Sequence, residues 1–108
     1  MYAILEITQN FGDSDEPRVI AFALTLRAAR QAATFYKPDR TLYRLRHNEY
    51  APPYIIIRRI RVTRWSPTGG YMYRGYFVPG ASAMLEGSSF PEYDPEGRYV
   101  RIPGAVRA

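Results

Sequence analysis

The chain of 108 residues has no cysteine, a single lysine (Lys37) and a single histidine (His47). Without cysteine there are no disulfides, no thiolate zinc sites and no cysteine nucleophile, a composition that fits a reducing cytoplasm. His47 stands without an HExxH, a GxSxG, a glycine-rich phosphate loop or any paired metal-ligand spacing, so the sequence offers no motif for metal or nucleophilic catalysis. Long apolar runs are missing as well. The longest, Val19 to Leu24, is far short of the ~20 residues a membrane helix needs, and no secretory or anchoring signal is visible. These absences predict a cytoplasmic protein that needs no cofactor and does not enter a membrane. Repeats, heptads and low-complexity tracts are absent too, and 46% hydrophobic residues suffice for one core, so a single domain spanning residues 1–108 is expected.

Acidic residues are scarce where basic ones are dense. Between Arg18 and Arg74 stand eleven arginines and Lys37 against only Asp39 and Glu49. The first seventeen residues carry Glu6, Asp13, Asp15 and Glu16 with no base, and the last thirty-four carry Glu86, Glu92, Asp94 and Glu96 against Arg98, Arg101 and Arg107. The net charge of +5 therefore understates a polarised chain. Such a field attracts phosphate or an acidic protein face, and arginine's planar fork binds either in two-point contacts and stacks on rings.

Along the chain, Met1 to Thr8 (MYAILEIT) reads as a strand, Gln9 to Pro17 as a loop, and Arg18 to Leu24 as a second strand antiparallel to the first. Thr25 can cap a helix with Leu26, Ala29, Ala33 and Tyr36 on one stripe and Arg27, Arg30, Gln31 and Thr34 on the other, ended by Pro38 and Asp39. Strand signals then dominate: Thr41 to His47, Tyr54 to Trp65 and Tyr71 to Val78, the last two joined across the turn Ser66 to Gly70 (SPTGG). Gly80 to Ser89 reads as loop, and Asp94 to Gly97 as a turn before a short strand at Arg98 to Ile102. The expected fold is α+β: one helix packed on a mostly antiparallel sheet of five or more strands, in the order β-β-α-β-β-β plus a short C-terminal strand.

Pairing Trp65 with Tyr71 across that turn puts Arg59, Arg61, Thr63 and Trp65 on one face with Tyr71, Tyr73, Gly75 and Phe77 opposite. Ile60, Val62, Met72, Tyr76 and Val78 then form the face packed on the helix, and Arg58, Arg64 and Arg74 lie at its margins. The preceding strand alternates Arg44 and Arg46 with Tyr43 and Leu45. Three roles are open to the rings: the second half of the core under the Gly80 to Ala108 tail, a protein interface rich in Tyr, Trp and Arg, or a stacking platform for single-stranded nucleic acid. The candidate binding residues are Arg44, Arg46, Arg59, Arg61 and Arg64 for charge and Trp65, Tyr71 and Tyr73 for flat contact. His47 is either a surface histidine at a strand end or, with Arg46 and Glu49, a phosphodiester-cleaving cluster. Separately, the small, basic, Arg- and Tyr-rich composition resembles that of bacterial mRNA-cleaving toxins, which place Arg, Tyr and Lys on a sheet surface. Glu6 is expected to face solvent, as are Glu92, Asp94 and Glu96 around their turn.

The order strand (MYAILEIT), polar loop, strand (RVIAFAL), alanine-rich helix (TLRAARQAATFY) and Arg/Tyr strand (TLYRLR) over residues 1–65 resembles that of small phage-encoded anti-CRISPR proteins. The resemblance implies a non-enzymatic inhibitor of phage or mobile-element origin that docks on a host nucleic-acid-handling complex, either a protein or a ribonucleoprotein. Direct binding of single-stranded RNA or DNA is the alternative, and an RNA-cleaving toxin a third.

Overall fold

The computed structural model describes residues 1–7, 17–36, 54–61, 70–90 and 96–108. β1 (Tyr2–Ile7) and β2 (Arg18–Ala23) pair antiparallel, as their β-branched and aromatic residues predict. The register shifts between Ile4/Leu5, where Ala21 and Val19 oppose them and Ile20 is the extra residue. This bulge explains why Val19 and Phe22, three apart, lie in the same core cluster, which strict alternation forbids.

Thr25 caps α1 (Leu26–Phe35) as expected: its Oγ1 accepts from the Ala28 N–H at 3.1 Å. The buried stripe is Ala28, Ala29 and Ala32, one position off the predicted stripe, and Leu26 is exposed. Alanines on α1 meet Ala21, Ala23 and Ala105 of the sheet, so the helix lies close, with Ile4, Phe90 and Ile102 supplying the bulk.

β3 (Tyr54–Arg59) pairs antiparallel with β1, and the far side of β2 takes β8 (Ala105–Arg107), giving the order β3-β1-β2-β8. The remaining pieces are β4 (Tyr71–Tyr73), β5 (Tyr76–Val78), α2 (Ala81–Glu86), β6 (Ser88–Ser89) and β7 (Arg101–Ile102), with β4 paired to β5 and β6 to β7. The protein is thus α+β, one main helix on a mostly antiparallel sheet, as the sequence predicts. No helix among the described residues is long and apolar enough to cross a membrane.

Each face of the sheet carries its own core. On one, α1 covers Ile4, Ala21 and Ala23. On the other, Ala3, Leu5, Val19 and Phe22 meet Ile60, Val78, Met84 and Val106, with Tyr71, Tyr73 and Tyr76 packed alongside. Ile60, Tyr76 and Val78 therefore lie on the face opposite α1, and Met72 is exposed, correcting the expectation that these residues pack on the helix.

Two local readings are corrected. Tyr71 to Val78 is a hairpin rather than one strand: Tyr73 pairs with Tyr76 around Arg74 and Gly75, whose φ values of 51° and 82° make the two-residue turn that matches strand twist. Tyr71 pairs with Val78 and Tyr73 with Tyr76; Thr63 and Trp65, the partners expected for Tyr73 and Tyr71, lie outside the described residues. Gly80 to Ser89 is not a loop but contains α2 and β6. Gly87 ends α2 at φ 78°, ψ 178°, a conformation open essentially to glycine alone, and a Cβ there would lie 2.4 Å from the Ile102 carbonyl oxygen. Gly87→Ala is expected to destabilise the fold by about 2–3 kcal/mol, lowering Tm by roughly 10–15 °C in a thermal melt. An unchanged Tm would contradict this close approach. The predicted strand at 41–47, the helix stop at Pro38 and Asp39, and the turns at Ser66 to Thr68 and Asp94–Pro95 lie outside the described residues.

Candidate docking surface

Ten arginines fall among the described residues, and all ten are exposed; only Glu6, Glu86 and Glu96 oppose them there. They are spread over the molecule. Arg27 and Arg30 occupy the outer side of α1, Arg74 the hairpin tip, and Arg98, Arg101 and Arg107 the tail. Among the described residues the arginines closest in sequence are Arg58, Arg59 and Arg61, at the end of β3.

The fold builds this grouping from its core. Arg58 stands across from Ala3 and Arg59 across from Tyr2, so alternation sends them to opposite faces of the strand's end. Ile60 follows, 8% exposed in the second core, and its N–H donates to the Met1 carbonyl at 3.0 Å. That bond and that burial fix the backbone between Arg59 and Arg61. Met1, Arg59, Ile60 and Arg61 border an open hollow of about 810 Å³. Among the described residues none of the three arginines makes an ion pair; the one ion pair there joins Arg98 to Glu96, two exposed neighbours in the tail. A solvent-exposed pair of that kind contributes ~0–1 kcal/mol.

Of the other residues singled out from the sequence, Tyr71 and Tyr73 are half-buried on the inner side of the hairpin, packed on the second core. The Tyr73 ring meets Phe22 edge-on, centroids 6.1 Å apart at 83°. The structure therefore does not bring Tyr71 and Tyr73 beside Arg59 and Arg61 as a water-facing platform. The expected placing of Gly75 and Phe77 opposite Arg61 and Arg59 needs an unbroken 71–78 strand, and the turn at Arg74–Gly75 removes it. Arg44, Arg46, Arg64 and Trp65 lie outside the described residues, as do His47 and Glu49. Among the described residues no group of three or more His, Asp or Glu could hold a metal ion.

A narrower cleft of about 410 Å³ lies at the end of α1, floored by Ile4, Ala21, Ala32 and Phe90 and rimmed by Arg18, Tyr36 and Arg107. Its rim is internally engaged. The Tyr36 hydroxyl donates to Glu6 Oε2, and the Arg107 guanidinium sits 6.0 Å over the Phe90 ring. Glu6 is thus half-buried and hydrogen-bonded, not solvent-facing. Thirty residues separate Glu6 from Tyr36, so no local pattern reveals this contact.

Sequence reasoning placed Arg58 and Arg74 at a margin and Met72 in the core; the structure exposes all three. The overlooked signal is the glycine inside YMYRGYFV, which divides an otherwise continuous strand pattern. Comparisons of the chain with protein-family models, with curated proteins and with solved structures give no match.

Proposed function

We propose that this protein is a non-catalytic inhibitor, of phage or mobile-element origin, that docks on an acidic protein face of a host nucleic-acid-handling complex through Arg59 and Arg61. One observation carries the reading. The Arg59 and Arg61 guanidinium groups stand in solvent beside one hollow at a strand end, with no ion pair among the described residues, on a backbone held by Ile60. Such groups do little for the fold, since like charges placed together repel. Their planar forks are suited to two-point capture of carboxylates. An acidic protein face fits this spot better than unpaired bases do, because Tyr71 and Tyr73 turn toward the second core. The sequence order over residues 1–65, which resembles that of anti-CRISPR proteins, supports the choice of partner class.

The test adds the purified protein to guide-loaded CRISPR effector complexes of several types and follows cleavage of target DNA. Inhibition that saturates at one protein per complex, with the inhibitor co-eluting in size-exclusion chromatography, is the expected result. No inhibition and no co-elution across the panel would overturn this partner class. Degradation of the guide or of added RNA by the protein alone would favour the toxin reading instead.

A further inference from the structure

The β4–β5 hairpin carries a second feature, separate from the β3 arginines. Its tip places Arg74 at φ 51°, a left-handed conformation that asparagine, aspartate and glycine accept readily and arginine does not. The guanidinium recovers little within the fold: it lies 5.8 Å from the ring centroid of its own neighbour Tyr73, and Arg74 is exposed. A residue kept in a costly conformation without structural return points to a use outside the fold. On the outer side of the same hairpin, Met72 and Phe77 form a cross-strand pair, 57% and 60% exposed, back to back with the inward Tyr71, Tyr73 and Val78. No acidic residue occurs from Gly70 to Gly80.

The geometry points to this hairpin as a contact for single-stranded nucleic acid, with Phe77 stacking on an unpaired base, Met72 flanking it and Arg74 at the tip pairing with a backbone phosphate. A ring presented to solvent beside a cation, on a stretch without repelling carboxylates, matches the two things a single strand offers, a flat base and a phosphate. A duplex keeps its bases stacked and gives Phe77 nothing to stack on. Among the described residues no polar side chain on the outer face of the hairpin is placed to read a base edge or a ribose hydroxyl, so RNA and DNA strands are expected to bind alike. The contact does not depend on docking by β3, and either can fail alone.

The experiment measures fluorescence anisotropy of a short labelled oligothymidine titrated with wild-type protein and with Arg74→Asn, Arg74→Lys and Phe77→Leu, at several salt concentrations. Thermal melts of each variant accompany the titrations. Wild type should bind at low salt. Arg74→Asn should bind several-fold more weakly and lose about 0.7 from the salt slope, the share of one phosphate contact on a single strand. Its Tm should hold or rise, because asparagine suits the turn. Arg74→Lys should retain most of the affinity, and Phe77→Leu should lose about 5-fold or more. The inference is overturned if wild type does not bind oligothymidine, or if Arg74→Asn and Phe77→Leu bind it as wild type does. It is equally overturned if these variants impair only docking on a protein complex, which would make the hairpin a protein contact.

Discussion

Reversing two charges, Arg59→Glu with Arg61→Glu, is expected to abolish docking while leaving the protein folded. Both side chains are exposed, and neither makes an ion pair among the described residues. The intervening Ile60 keeps its burial and its bond to Met1. Surface substitutions of this kind change stability by about ±0.5 kcal/mol, and here the loss of repulsion with Arg58 works in the stabilising direction. Binding should respond very differently. Truncating a charge that is paired and desolvated across an interface costs ~2–5 kcal/mol, and a reversal adds repulsion from the facing carboxylates. We therefore expect affinity for the partner complex to fall by about 100-fold or more, with Tm within ~3 °C of wild type. Isothermal titration against the inhibited complex, beside a thermal melt, checks both halves. If the double variant unfolds, the arginines are structural and the docking assignment fails.

Phe22→Ala should produce the largest loss of stability. Phe22 is fully buried in β2, flanked in register by Ala3 and Val106, and its ring meets Tyr73 of the hairpin. Ala3 is too small to fill the space, and Val106 belongs to a hydrogen-bonded strand that cannot move in without breaking its pairing. Removing the ring leaves a cavity between the sheet and the hairpin, at a cost of about 3–5 kcal/mol. Set against a total stability of ~5–15 kcal/mol, this places the variant near unfolding at physiological temperature. Urea denaturation followed by tyrosine fluorescence gives the number. A loss below ~1 kcal/mol would mean that the hairpin layer does not rest on β2. The same cavity is expected to speed amide exchange in the hairpin before it affects α1, because Tyr71, Tyr73 and Tyr76 pack on the second core and not on the helical one.

These two substitutions also mark what the sequence could and could not reveal. β1, β2 and α1 were legible because their signals are local: apolar and β-branched runs, then Thr25 capping the Ala28 N–H. Even there the buried stripe of α1 shifted by one position, since small alanines sit on either side of the boundary and periodicity weights them equally. The hairpin is hard to see in the sequence because the residues on either side of Arg74 and Gly75 read as one continuous strand, and Arg-Gly is not among the usual turn pairs. One unrecognised turn reversed the outlook for the rings, taking Tyr71 and Tyr73 into the second core and putting Met72 and Phe77 outside. α2, six residues between Gly80 and Gly87, is too short for a helical period to show, although ASAMLE is rich in helix formers. β8 could not be read at all, because its reason for being a strand is β2, some eighty residues earlier. The exposure of Arg59 and Arg61 is legible in the sequence, for charge avoids burial whatever the register.

The most direct test of docking by the β3 arginines is the salt dependence of partner affinity, compared between wild type and the Arg59→Glu/Arg61→Glu protein. For wild type, log Kd should rise steadily with log salt concentration, as solvent-exposed charges meeting an acidic face require, and the double variant should have lost that dependence together with its affinity. Affinity of the wild type that stays constant from low to high salt, or a double variant that keeps the wild-type slope, would contradict it.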